Sequence, residues 1–335
     1  MDVSPALSDS DSFAANAAPG ADPRLCPTPD YGTLGPRSDV ASARPAATLD
    51  AKNRVRLAML LALSVGISLA LLVSSLGKAR AAWPRADRAR VSSHAGVVNA
   101  GKIDQLQPQK QAEQLLELAV GNSDSAVDQI SSRAAGWQGK LVWDSQIASL
   151  TTAALNSNDM RVRESGVEVE LAAYGLSKNA ASLEYLLKTA ESTDHQQKIW
   201  ALWSLGLMAN RNVEPDRIRQ LLSMHLQDSD PDSRRWAVDG LALTGGDATI
   251  PLLLGAMHGD SSPIVREEAA CAIAQSGMFT PAQRMSAVPQ LLDFADDPSL
   301  DAQTHRWAFQ ALGDITGQHL PNDSAVWRNW YENRN

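Results

Sequence analysis

Cysteine is almost absent from this chain: 335 residues hold two, Cys26 and Cys271. Two thiols cannot form the disulfide framework of a small secreted domain. Cys26 sits in Arg24-Leu25-Cys26-Pro27 with no apolar run before it, which is not the setting of a lipid-acceptor cysteine. The six histidines, at 94, 195, 225, 258, 305 and 319, are equally uninformative for metal chemistry. None precedes a glutamate and no two lie four apart, the spacing that puts a metal pair on one helix face. There is no G-x-S-x-G elbow, no phosphate-cradling glycine loop and no C-x-x-C. No catalytic residue, metal ligand or cofactor is therefore predicted. Positive charge is scarce where most of the chain lies: residues 105–335 carry 18 Lys/Arg against 29 Asp/Glu, net −11, while residues 1–104 are net +3. An acidic region is a poor match for a phosphate backbone, so no nucleic-acid partner is expected. Aromatics make up only 5%, yet nine of them are Trp and eight of those follow residue 130.

What is present begins with an uncharged run. Residues 1–51, rich in Ala, Pro, Ser and Asp, bury too little apolar surface to offset ordering entropy and read as a disordered tail. Residues 57–77 then hold no charge, and about 20 helical residues cross a hydrocarbon core of roughly 30 Å. Lys52, Arg54 and Arg56 bound this run on one side and Lys78 and Arg80 on the other. The alternative is a signal peptide cleaved at Ala79-Arg80-Ala81, but the apolar run and its leader are both too long, and a retained transmembrane helix is expected. Ala58, Ala62, Gly66, Ala70 and Ser74 form a ridge of small residues on which two such helices could pair into a homodimer. Flanking Lys/Arg are nearly balanced and do not fix the orientation. A lone N-terminal anchor commonly exports the domain on its C-terminal side, so a bacterial inner-membrane protein with a periplasmic C-terminal domain is favoured. Cys26 and Cys271 would then lie on opposite sides of the membrane, and no bridge between them is expected. Residues 78–105 read as a tether, and residues 106–335 as one helical domain.

That domain repeats a phrase. Lys198-Ile199-Trp200-Ala201 matches Arg234-Arg235-Trp236-Ala237, Arg266-Glu267-Glu268-Ala269 and His305-Arg306-Trp307-Ala308, with marker alanines 36, 32 and 39 residues apart. A fainter copy, Arg163-Glu164-Ser165-Gly166, precedes the first by 35. Periods of this size mean stacked helical units, none of which buries its apolar face alone. Asp230-Pro231, Ser262-Pro263, Thr280-Pro281 and Asp297-Pro298 read as helix starts. Gly206, Gly245, Gly246, Gly277 and Gly317 read as helix ends. Other helices, such as 250–254 and 288–292, lie between, and no alternating β-branched run suggests a strand. With Val265 as reference, Ala269, Ala272, Ile273 and Ser276 share a face, while Glu267 and Cys271 point away from it.

The run Val265-Arg266-Glu267-Glu268-Ala269-Ala270-Cys271-Ala272-Ile273-Ala274 resembles the second helix of a HEAT repeat. The resemblance extends over roughly residues 110–320, about six helix pairs, strongest in the last three copies and nearest the compact bacterial HEAT-like group. It implies an all-α, right-handed solenoid. The ending, 316–331 with Trp327, Trp330 and Tyr331, is similar to the tails of bacterial HEAT-repeat proteins and reads as a terminal cap. Among HEAT-like enzymes, the di-iron hydroxylases need His-Glu pairs that are missing here. The base-excising members need a basic concave surface, and this region is acidic. Bilin attachment, as in the lyases, stands as an alternative on family grounds alone.

Most arrays of this kind hold a protein or peptide, so a non-catalytic scaffold is predicted, with a purely structural spacer as a further alternative. Trp200, Trp236 and Trp307 occupy one place in three copies and read as packing between repeats. Lys198, Arg234 and Arg266 read as structural ties. Trp203 is assigned to the outward side of the repeat. With Arg235, Asp239, Glu267, Arg306 and Gln310, it is the candidate partner-binding set on the inner face.

Overall fold

The computed structural model describes residues 100–334. The tail at 1–51, the apolar run at 57–77 with its small-residue ridge, and Cys26 lie outside the described residues. Among the described residues the regular structure is helical, with no strand, and no helix is long and apolar enough to cross a membrane.

The helices pair along the chain. A short α1 (Ala100–Asp104) precedes α2 (Pro108–Val120) and α3 (Asp124–Trp137), and α4 (Ser145–Leu155) pairs with α5 (Met160–Ala173). Next come α6 (Ala180–Ala190) with α7 (His195–Asn210), then α8 (Pro215–His225) with α9 (Pro231–Thr244). The chain continues through α10 (Ile250–Gly259), α11 (Pro263–Cys271), a π-helical turn (Ala272–Ser276) and the short α12 (Pro281–Ser286). It closes with α13 (Val288–Asp296), α14 (Ala302–Thr316) and the cap α15 (Ser324–Glu332). The array begins earlier than sequence suggested: α1 lies within the presumed tether, and its Ile103 is buried in the first core.

Starts follow side-chain chemistry. Asp144, Asp159, Asp194, Asp230, Asp301 and Asp323 each accept backbone N–H groups at the head of a helix. Thr280 and Gln283 make a reciprocal capping box for α12. Asp297-Pro298 is a correction: α13 has already ended at Asp296, and the next helix waits for Asp301. The Asp297 carboxylate instead accepts the N–H and hydroxyl of Ser299, closing the turn.

Two cores result. The first joins α1–α5 around Leu115, Leu116, Ile130, Trp137 and Ile147. The second runs from Leu155 to Trp327 through every later repeat. Its centre is α7, where Ile199–Ala209 are all buried. Such a helix has no solvent stripe, because neighbours cover it on every side. Gly206 is accordingly not a helix end. It sits inside α7, where α9 crosses so closely that an added Cβ would lie 2.5 Å from the Gly240 carbonyl oxygen. A similar enclosure governs α11: Ala270 and Cys271 are buried alongside Val265 and Ala269, so Cys271 does not point outward. It is disulfide-bonded and not a free thiol, which overturns the expectation that no bridge forms.

Candidate functional site

The recurring basic residue builds the repeat-to-repeat joint. Lys198 pairs with Asp228 at 2.9 Å, Arg234 with Asp260 at 2.8 Å, and Arg266 with Asp301 at 2.8 Å. Each arginine also donates to a main-chain carbonyl six residues back: Arg234 to Asp228 at 2.9 Å and Arg266 to Asp260 at 2.8 Å. The side chain thus holds its own turn and the turn of the following repeat together. Trp200, Trp236 and Trp307 lie in the core, at 6%, 5% and 5% exposure.

The six residues assigned to an inner binding face do not form one. Trp203 is 2% exposed, and its indole N–H donates to Glu170 Oε1 at 3.3 Å. It meets Trp236 edge-on at 6.0 Å. Its assignment to the outward side fails because α7 is enclosed all round. Asp239 is buried too, beside Glu268 and Arg235, and Arg235 donates to Glu268 at 3.1 Å while lying over the Trp236 ring. Arg306 is exposed and bonds Gln303, and Gln310 is half-buried farther along the same helix. Of the six, Glu267 lines the wide cleft described below.

Sequence reasoning missed the buried Glu170 and placed the buried Asp239 on a binding face. Glu170 Oε1 accepts from the Tyr174 hydroxyl as well as from Trp203, while Oε2 has no protein partner. Burial pushes this carboxyl up to about 7, against the two hydrogen bonds, which favour the charged form. Burial, and then the charge of Glu268, also raise Asp239 well above the usual carboxylate range, and one of its oxygens is likewise unpartnered. The available signal was Glu168-x-Glu170 inside the stretch 167–173, otherwise filled by valine, leucine and alanine.

A wide cleft of about 1930 Å³ has a lining of mixed polar and apolar residues. On one side stand Ser149, Thr152, Asn156 and Asn158, from α4 and the turn after it; on the other stand Gln275, Ser276 and Arg284. Glu267 and Asp314 complete the second wall. Arg163, the marker of the faintest repeat, reaches across: its Nη1 donates to the carbonyls of Gln275, Ser276 and Gly277 at 3.0, 3.2 and 3.0 Å. Arg284 donates to Ala272, Ile273, Gln275 and Gly277. The two guanidiniums together satisfy the carbonyls left at the negative end of the π-helical turn. Burial, with the Arg163 charge nearby, lowers Arg284 to about 10. Burial raises both Glu267 and Asp314. Among the described residues no group of three His, Cys, Asp or Glu side chains could hold a metal ion.

An all-helical array with a repeating basic tie defines the class, a stacked helical-repeat protein. Residues 183–274 and 218–313 match the family model for HEAT repeats, and the chain carries HEAT repeats across that span. A comparison with curated proteins finds no match. Similar solved structures include an engineered protein, 19% identical, covering 62% of this chain and 96% of its own at a TM-score of 0.31. A designed armadillo repeat protein in complex with the peptide (KR)4 is 18% identical, covering 62% of this chain and 99% of its own at a TM-score of 0.31. Computationally designed armadillo repeat proteins for modular peptide recognition are 17% identical, with coverage of 62% and 99% and a TM-score of 0.29.

Proposed function

We propose that this chain is a non-catalytic HEAT-repeat scaffold, tethered to a membrane by residues 57–77, that binds a protein or peptide partner in this cleft. The observation that carries the reading is the cleft itself: about 1930 Å³ bounded by two separate parts of the array and lined by amides, hydroxyls, a few charges and the apolar Met160, Phe279 and Ile315. Its volume exceeds the usual 300–1,000 Å³ of small-molecule sites, which suits a polypeptide segment. The π-helical turn on its floor adds support, since such turns recur at functional sites. The anchor rests on the uncharged run alone.

The test is crosslinking mass spectrometry on the full-length chain in its own membranes. Ser149 and Asn156 are exposed cleft residues, so Ser149→Trp and Asn156→Trp should fill the recess without disturbing the core. Partners captured by the unaltered chain should be lost in both variants and retained by Gln220→Trp, an exposed site outside the cleft. Equal recovery in all four chains would refute cleft recognition.

A further inference from the structure

Cys271 is disulfide-bonded, and the chain holds one other cysteine, Cys26. A bridge between the Cys271 thiols of two copies is unfavourable. Cys271 is buried at the end of α11, at 1% exposure, and bridged Cα atoms lie only about 6 Å apart, so two whole arrays would have to open. Cys26 meets no such obstacle. The long stretch between it and Ala100, where the helical array begins, sets no limit on its reach.

The place of Cys271 in its repeat says where the bonded segment lies. Trp203, Asp239, Cys271 and Gln310 each follow their marker alanine by two residues, and α7, α9, α11 and α14 pack in that order. They form a row across the stack, one residue per repeat, at the roughly 8–10 Å spacing of packed helices. Trp203 and Asp239 are as deeply covered as Cys271, at 2% and 4% exposure. Asp239 Oδ2 has no partner among the described residues. A buried oxygen in that state, on a row that already carries a covalent bond, calls for a polar group laid over it.

We infer that residues 24–35 lie along this row, bonded through Cys26 to Cys271. Forming the bridge takes two protons and two electrons from the two thiols, which a disulfide donor accepts by exchange, leaving as its own dithiol. The sequence Arg24-Leu25-Cys26-Pro27-Thr28-Pro29-Asp30-Tyr31 suits the row. Pro27 and Pro29 hold their neighbours extended, at about 3.1 Å per residue, so three residues span one repeat. With Cys26 on Cys271, Thr28 to Asp30 fall at Asp239 and bring main-chain polar groups to its Oδ2. Tyr31 then falls near Trp203, two repeats from Cys271, where an edge-on ring contact is favourable. The cleft lies to one side: Ser276, one of its lining residues, has its Oγ 3.6 Å from Cys271 Sγ. The inference is therefore separate from recognition in the cleft. It does bear on the anchor. A bridge within one chain needs both thiols on one side of the membrane, so residues 57–77 hold the chain to the bilayer without carrying it across.

Mass spectrometry of the full-length chain tests the bridge. Thiols are blocked with N-ethylmaleimide in intact membranes, and the chain is digested with trypsin without reduction. Tryptic peptide 25–37 should be recovered joined to 267–284, from a chain that runs as a monomer on a non-reducing gel, and dithiothreitol should separate the two. Hydroxyl-radical footprinting tests the docking. Oxidation of Trp203 should rise several-fold in the double variant Cys26→Ser, Tyr31→Ala, while Trp137, buried in the first core, stays protected. Neither change falls in a described helix, and continued protection of Trp137 reports that the array has kept its fold. Recovery of both cysteines as maleimide adducts, of 267–284 joined to itself, or of a dimer that reduction dissolves would overturn the bridge. Equal oxidation of Trp203 in the two chains would overturn the docking. Either failure, with partners still lost in Asn156→Trp, would remove the docked segment and leave cleft recognition standing.

Discussion

Glu170 offers a direct physical test of the enclosed seam. Its carboxyl is raised by burial from 4.5 to about 7, an upward shift worth about 3 kcal/mol at 1.36 kcal/mol per unit. The folded chain therefore holds this proton more tightly than the unfolded chain. Its contribution to stability is fully present below about pH 4.5, declines as the pH rises through the interval to about 7, and is flat above that. Glu170→Gln keeps the size and polarity of the protonated group and removes the titration. Urea unfolding should be followed for both chains from pH 4.5 to 8.5, because other acids titrate in both and cancel in the difference. The variant should gain on the unaltered chain by about 3 kcal/mol across the interval, ending as the more stable protein at pH 8. A difference that stays constant with pH would refute enclosure of this carboxyl. A gain confined to below pH 5 would equally refute it, since that is the behaviour of a solvated glutamate.

Three other outcomes are expected from the packing. Gly206→Ala places a methyl 2.5 Å from the Gly240 carbonyl oxygen and 2.8 Å from its Cα, so it should cost about 3 kcal/mol and lower the Tm by roughly 10 °C in thermal unfolding. Gly255→Ala, with nothing within 4 Å of the added carbon, should instead leave the Tm unchanged or raise it slightly. Arg234→Ala removes a pair whose side chains are 11% and 7% exposed and should cost about 2 kcal/mol by chemical denaturation, whereas Arg217→Ala, facing Glu184 in open solvent, should leave the midpoint in place. Arg163→Gln releases the carbonyls of residues 275–277, and hydrogen exchange should quicken at the N–H groups of Gly277 and Met278 with little change in α13.

The repeat, its helix starts and its basic tie were legible because each depends on residue type at fixed spacing. Arg234 and Asp260 are 26 residues apart, yet the recurrence of the arginine was enough to mark a structural role. The spacing of the helices was not legible in the same way. The period alone does not say how tightly successive helices approach, and the contact that decides this is Gly206 against Gly240. Gly206 has a helical neighbour on both sides in sequence, and only the crossing of α7 with α9 explains it. Trp203 was misplaced for the same reason. Its angle around the helix was read correctly as differing from that of Ala201, but both directions are covered. Asp297-Pro298 misled because a capping side chain and a proline also suit a turn, and the helix start depended on Asp301 four residues on. The cleft was beyond reach of local pattern altogether, since its walls lie more than a hundred residues apart in the chain.

The lack of an inner groove around α7 follows from these same contacts. A stacked array can expose its inner helices as a groove only while they stay far enough apart for polar side chains to meet water. In this chain the glycine crossing draws α7 and α9 together, and Trp200, Trp203 and Trp236 fill the space that remains. The acids that would have lined a groove become buried acids, Glu170 and Asp239 among them, and one oxygen of each is left unpartnered. Arg163 brings the early α5 against the far π-helical turn, and the gap beside that contact is the cleft. Tight packing of α7 on α9 and an open recess beside Arg163 belong to one continuous stack of helices. Relaxing the glycine crossing should therefore alter the cleft as well as the core.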